Sequence, residues 1–329
     1  LRNFFNPNTV CRFVYPLYGI ALASEFPFRN LGSQSRRSGE SCKRVFFLSR
    51  NCRSPHYSRP VPLLDNIYYQ RGLNPRFIYF SFPIAGGFHV DLLKKLIHWR
   101  PSSSISSRDL AQHFVAGPLL GFALPHFGPT LTLHGCVLAT KRGAIALLAP
   151  QGGGKSTLAS HFLQQGTPLL SDDLVVIQKR RNSWVVQPGP PEIRLWPDTA
   201  QVFVKRGIKS RIIYRGTKKK RISLSPKGPL RFAGEKPLPL KALFCLSRRA
   251  DGEVQIQHLQ GKRAFLEILR ARYNHKIPER PKVLKNQFRL AGELIKKVPL
   301  NRLVYPSGLR HLPRVADTVL RHCTSLNQK

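Results

Sequence analysis

Residues 143–178 read GAIALLAPQGGGKSTLASHFLQQGTPLLSDDLVVIQ, and the order of residue types in them decides the fold. The apolar run 144–148 has the length of a strand. APQGGGKST follows it, and LASHFLQQ then places leucine and phenylalanine on one side of a helical pattern. Strand, glycine turn and helix in that order are the context that separates a phosphate-binding loop from a chance match to GxxxxGK[ST].

The chemistry requires these residue types. Gly152, Gly153 and Gly154 allow positive φ and turn successive N–H groups inward, so that phosphate oxygens sit in a nest at a helix N-terminus. Lys155 is expected to reach the β- and γ-phosphates and the Ser156 hydroxyl to ligate Mg²⁺, with Thr157 completing the nucleotide-binding set. Ala149 stands where the pattern has its first glycine; close approach to phosphate occurs later in the loop, so a methyl group is tolerated there.

LLSDDLVVI then carries two adjacent carboxylates inside an apolar strand. Neighbouring side chains on a regular strand point to opposite faces, which predicts separate tasks for Asp172 and Asp173. Asp172 follows Lys155 by seventeen positions with one helix between, so its strand is expected to return beside the loop strand and bring both acids to the triphosphate. Isolated, an Asp-Asp pair would be a solvated turn; after this loop it reads as a site.

These residues resemble the HPr kinase/phosphorylase catalytic domain and its stand-alone relatives, a domain also similar to the phosphoenolpyruvate carboxykinases. The resemblance rests on the glycine loop and helix, the Gln165-Gly166-Thr167 turn and the following strand ending in the acid pair. TLHGCVLA offers His134 where the family has an upstream histidine, and the resemblance implies that His134 joins both acids in one catalytic cluster. YGIALASEFPF, PGPPEIRLWPD and VPLNRLVYPSGLRHLPRVADTVL are similar to landmarks of the stand-alone relatives, although Leu195 replaces the glycine of the family's EIRG. The fold implied is α/β: a P-loop kinase core with a mixed sheet and flanking helices, preceded by a β-rich N-terminal lobe. The resemblance also makes VYPLYGIALAS, behind Arg12, part of that lobe rather than a signal segment. It implies a serine of a protein or peptide as a reasonable acceptor, without carrying over HPr itself, a phosphorylase activity or a hexamer.

Composition sets bounds on the rest. A chain of 329 residues that is 42% hydrophobic can bury a sizeable core. With 54 Lys plus Arg against 16 Asp plus Glu the net charge is +38, a field that favours polyanions. No helix-turn-helix, zinc-finger or RRM spacing accompanies it, so nucleic acid is a secondary candidate partner rather than the favoured one. Cys11, Cys42, Cys52, Cys136, Cys245 and Cys323 form no CxxC pair; reduced thiols and a cytoplasmic setting follow. No apolar run nears the ~20 residues of a membrane helix, the nearest being FVAGPLLGFALPHF. The chain contains no methionine, which leaves room for a start upstream.

Residues 1–104 read as the lobe of short strands and Ser/Arg or Pro-rich loops, and 105–329 as the kinase domain with C-terminal helices. Ser106 or Ser107 is expected to cap a helix that Pro118 interrupts. Glu192 in EIR reads as a metal- or substrate-side group or, by the plainer account, as half of a surface salt bridge. One of Lys218, Lys219, Lys220 or Arg221 is expected to face the triphosphate or the substrate.

The reading that unites these features is Mg²⁺-dependent transfer of the γ-phosphoryl group of ATP to a hydroxyl of a protein, peptide or small molecule. Asp173 and Ser156 would hold the metal, Asp172 would take the acceptor proton, and Lys155 would stabilise the transferring group. A nucleotide-hydrolysing or sensing module, and a basic nucleic-acid-binding protein with a vestigial loop, are the competing classes. Oligomerisation is open.

Overall fold

The computed structural model describes residues 13–28, 31, 43–48, 61–64, 67–71, 76–82, 84–102, 108–204, 208, 210–213, 218–273, 277 and 279–325. Cys11, Cys42, Cys52 and the expected caps Ser106 and Ser107 lie outside them. The chain divides into two compact units, Leu1–Leu119 and Leu120–Lys329.

The first unit holds strands β1 (Phe13–Leu17), β2 (Ile20–Ser24), β3 (Lys43–Leu48), β4 (Val61–Leu64), β5 (Ile67–Arg71), β6 (Phe77–Phe82), β7 (Gly86–Asp91) and β8 (Leu96–Arg100), then helix α1 (Arg108–Phe114). They form one sheet in the order β1-β2-β3-β8-β7-β6-β5-β4. The strict alternation of FIYFSF buries Ile78, Phe80 and Phe82, and the Phe82 ring stacks on Phe114 of α1 at 4.0 Å between centroids. Val61 and Pro62, the end of the segment RSPHYSRPVP that reads from sequence as a proline-rich loop, instead open strand β4. β4 is the outer strand of the sheet, the position where strands accept proline, and its register against β5 shifts between Pro62 and Leu64. Pro118 lies in a π-helical turn, Val115–Leu119, so the expected interruption occurs there.

The second unit is α/β, a large mixed sheet with flanking helices. Its elements begin with α2 (Leu120–Phe127), β9 (Thr130–Thr140), β10 (Gly143–Leu148), α3 (Lys155–Gln164), β11 (Leu169–Ser171), β12 (Leu174–Arg180), β13 (Ser183–Gln187), β14 (Glu192–Leu195) and α4 (Pro197–Val204). They continue with β15 (Arg211–Ile212), β16 (Lys220–Ser223), β17 (Leu238–Arg249), β18 (Gln255–Leu259), α5 (Gly261–Arg270), α6 (Pro281–Ile295), β19 (Leu300–Pro306) and α7 (Leu312–Ser325).

β10 is buried along its whole length, which is why its sequence is continuously apolar. Ile145 and Leu147 face one core with Leu158, Phe162 and Leu163 of α3 and Val315 and Val319 of α7. Ala144, Ala146 and Leu148 face the other with Ala264 and Ile268 of α5 and Leu290, Ala291 and Leu294 of α6. The helices thus sandwich the loop strand, two on each side.

The neighbours of β10 differ from the sequence expectation. Both acids were expected on a strand beside it, but β10 pairs antiparallel with β9 and parallel with β17. β11 and β12 pair with β9 instead, one strand further out. β17 also meets β13, so β10, β9, β12, β13 and β17 close into a ring of pairings. The acids still arrive near the loop because His134 and Gly135, at the middle of β9, are the crossing point. There Gly135 is required: a Cβ would lie 2.6 Å from the Leu147 carbonyl oxygen and 2.9 Å from Val175.

Helix α2 carries a pH-sensitive group. His126 Nδ1 faces the Phe122 carbonyl oxygen at 3.0 Å, while its buried Nε2 has no partner among the described residues. Burial first, and the Arg280 cation in addition, hold its pKa down at about 4, against the hydrogen bond to Phe122. The folded chain therefore keeps His126 neutral where the unfolded chain protonates it. Its contribution is full above about 6.5, is lost as pH falls towards about 4, and is constant below that. Urea unfolding at pH 7.5 and 4.5 should show a loss about 2–3 kcal/mol smaller in His126→Phe than in the unmodified chain. Equal losses in the two proteins would refute the assignment.

Candidate functional site

Two of the three glycines in the loop after β10 have the left-handed backbone expected of them, and Gly153 does not. Gly152 and Gly154 sit at φ 76° and 88°, and Gly154 is the N-cap of α3 with no side chain capping that end. A Cβ on Gly154 would come within 3.0 Å of Tyr305 Oη, so glycine is needed there for space as well as conformation. Arg248, at the end of β17, donates from Nη2 to the Gly152 carbonyl oxygen at 2.7 Å and ties the loop to the sheet. Thr157 Oγ1 lies 3.4 Å from Thr199 Oγ1, placing α4 against the first turns of α3.

Lys155 is buried, and its ammonium donates to the carbonyl oxygens of Ala149 and Pro150 at 2.7 and 3.0 Å. Burial lowers its pKa, opposed by Cys136, Asp173 and Asp172. Both acids therefore lie within the electrostatic reach of the loop lysine.

The acid pair does not follow a regular strand. Register against β9 slips by one between Leu169 and Ser171, and Asp173 has φ 71°, left-handed for a residue between β11 and β12. The expectation of opposite faces held only for a regular strand, and that condition is not met here. Arg194 on β14 addresses both acids: its backbone N–H donates to Asp172 Oδ2 at 2.8 Å and its guanidinium lies 3.7 Å from Asp173 Oδ2.

The two carboxylates differ in proton affinity. Asp172 is 8% exposed, and burial followed by the neighbouring Asp173 charge pushes its pKa up to about 6, against the pull of Arg194. For Asp173, whose side chain is 27% exposed, burial acts upward too, but His134, Arg194, Lys219 and the Tyr273 hydroxyl together hold it at about 2. Tyr273 donates to Asp173 Oδ2 at 3.0 Å, and His134 Nδ1 stands 3.4 Å from Asp173 Oδ1. Burial keeps His134 below its ordinary pKa although Asp173 pulls upward. One carboxyl thus titrates near neutrality beside one that stays ionised.

Glu192 is not part of a surface salt bridge. It is 3% exposed and sits between Arg194 Nη2 at 2.9 Å and Arg221 Nε at 3.0 Å, the latter an ion pair without hydrogen-bond alignment. The correction has a simple source: Glu192 and Arg194 alternate with Ile193 and Leu195, and β14 packs those two apolar residues into the core, so the charged pair shares a face turned to the acids. Of the four basic residues 218–221, Arg221 is bound to Glu192 and Lys218 is exposed. Lys219 is the one whose charge bears on Lys155, His134, Asp172 and Asp173, and its ammonium stands 5.1 Å over the Trp196 ring.

The structure therefore brings Lys155, Asp172, Asp173 and His134 into one electrostatic neighbourhood at the loop. Sequence reasoning passed over Tyr273, Arg248 and Trp196. Tyr273 follows α5 and reaches the site because its N–H donates to the Thr132 carbonyl of β9, a pairing no local pattern announces. Among the described residues, no group of three His, Cys, Asp or Glu side chains is arranged to hold a metal ion alone. No described helix is long and apolar enough to cross a membrane.

No family model and no curated protein matches the chain. Among solved structures, the HPr(Ser) kinase/phosphatase from Coxiella burnetii is similar over 60% of this chain and 99% of that one, at 12% identity and a TM-score of 0.31. A likeness this distant decides neither ligand nor reaction.

Proposed function

We propose that the chain is a phosphotransferase of the HPr kinase type, moving the γ-phosphoryl group of ATP to a hydroxyl, with serine of a protein or peptide as the favoured acceptor. The observation that carries this is the pairing of a lysine-bearing glycine loop with two carboxylates of split proton affinity inside its field.

The residues fit a nucleotide on three counts. The first turn of α3 lacks a side-chain cap, leaving its N–H groups for phosphate oxygens. A Cβ built on Gly152 meets nothing within 4 Å, so the loop borders open space. Among the described residues the Lys155 ammonium donates to loop carbonyls, which a phosphate can replace as its partner. Mg²⁺ fits as a shared ion rather than a caged one: Ser156 and Asp173 would supply protein oxygens and the phosphates the rest, in keeping with that ion's habit. When bound, it neutralises charge on the transferring group.

Asp173, kept ionised by His134, Arg194, Lys219 and Tyr273, would orient the cation. Asp172 would accept the proton of the incoming hydroxyl, a task suited to a carboxylate whose pKa lies near working pH. Lys155, Lys219 and the loop amides would stabilise charge on the equatorial oxygens, and His134 would fix Asp173.

The test is incubation with γ-labelled ATP and Mg²⁺ against serine peptides and small hydroxyl acceptors, followed by mass spectrometry. Label should appear on an acceptor and fall about 100-fold or more in Lys155→Ala. Phosphate released at the same rate with or without any acceptor would replace the proposal with a hydrolase, and no nucleotide binding at millimolar levels would end it.

A further inference from the structure

One side of α6 carries a row of cations that the loop site does not use. The helix buries Gln287, Leu290, Ala291 and Leu294. The exposed Lys282, Lys285 and Arg289, with Lys296 at the C-cap, fall within about 60° of arc away from that face and span about 21 Å. Glu293 is the carboxylate in this row, and it is held by Lys179 of β12 and by Arg289. No described acid pairs with Lys282, Lys285 or Lys296. The Lys179 pair also sets the β12–β13 turn, with exposed Arg180 and Arg181, beside the helix.

An aromatic flanks the row. Phe288 is 38% exposed and stacked on Phe265 of α5, with ring centroids 5.9 Å apart and 30° between planes. A helix in a protein of this net charge gains nothing from such an arrangement by itself: like charges three and four positions apart repel by a few tenths of a kcal/mol per pair. A polyanion relieves that repulsion. The phosphates of a nucleic acid match a linear row of ammonium groups, and an unstacked base matches a half-exposed phenyl ring. Duplex nucleic acid hides its base faces, and a bilayer would demand a broad apolar surface where this face offers little beyond Phe288 and Leu266, both 38% exposed.

We propose that the α6 face binds single-stranded nucleic acid, with phosphates along Lys282, Lys285, Arg289 and Lys296 and a base against Phe288. The site is separate from the glycine loop and does not depend on phosphotransfer.

The experiment uses the full chain and a fluorescent oligothymidylate of about 12 nucleotides, with affinity read by anisotropy across 50–200 mM salt. The logarithm of affinity should fall linearly with that of salt. Combining Lys282→Gln, Lys285→Gln and Lys296→Gln should make the slope shallower by about 2, at about 0.7 per lost phosphate contact. Lys227→Gln, Lys236→Gln and Lys241→Gln together remove the same charge from exposed positions on and before β17, and should leave the slope unchanged. Phe288→Ala should weaken binding about tenfold or more with little change in slope, and Lys155→Ala should leave it intact. Unfolding midpoints establish that each variant is folded. Equal losses from the two lysine sets would reduce the effect to net charge and overturn the proposal. So would tighter binding of a duplex, a Phe288→Ala variant that binds as well as the parent, or oligonucleotide displaced by phosphatidylserine vesicles that themselves bind through Phe288.

Discussion

Asp172→Asn is expected to lower the rate of acceptor phosphorylation by about 10²–10⁴-fold while leaving nucleotide affinity close to that of the parent chain. Asparagine keeps the shape of the side chain and can still accept the Arg194 backbone N–H at Asp172. What it loses is the ability to take a proton, and with it the negative charge that raises the cost of bringing phosphates beside Lys155. Rate and affinity should therefore separate. Single-turnover phosphorylation combined with calorimetric nucleotide titration reads both. Parallel loss of the two would make Asp172 a binding residue, and an undiminished rate would remove it from the chemistry. Asp173→Asn is expected to behave differently, since it loosens the contacts to His134, Arg194 and Tyr273 together.

The second large effect is on stability. Glu192→Ala leaves Arg194 and Arg221, both nearly buried, facing each other without their shared carboxylate. Removing the shared carboxylate from a buried ionic group costs up to about 3 kcal/mol here, below the cost of a fully uncompensated charge, because Arg194 keeps Asp173 at 3.7 Å while both guanidinium groups lose a close desolvated partner. Chemical denaturation of the two proteins measures it, and a change below about 1 kcal/mol, ordinary for a surface pair, would show that water reaches the arginines. Because Arg194 also holds both aspartates, the folded fraction of Glu192→Ala should retain nucleotide binding at the loop and lose phosphotransfer.

What the sequence made legible was local. Strand, glycine turn and helix lie within twenty-odd residues of each other, and the unbroken apolar run of β10 and the spacing of α3 follow from burial on both sides of one sheet. The positions of Asp172 and Asp173 were readable, but their orientation was not. A one-residue slip opposite β9 and a left-handed Asp173 change which way the chain faces without changing its composition. Strand order was also hidden: β17, almost a hundred residues further on, occupies the edge of β10 that the acid strand was expected to take. Pairing between distant segments leaves no mark on spacing. The Glu192–Arg194 pair is an intermediate case, since two charges alternating with Ile193 and Leu195 already indicate a charged face on a buried strand.

Trp99 and Trp184 are buried, whereas Trp196 is 47% exposed with an ammonium from the site poised over its ring. The chain's solvent-relaxed indole emission therefore originates at a single position, and that position shares Lys219 with the acids. Anything that draws Lys219 away strips the cation from the chromophore. The molecule carries its own optical gauge, legible in a cuvette without a dye or a label.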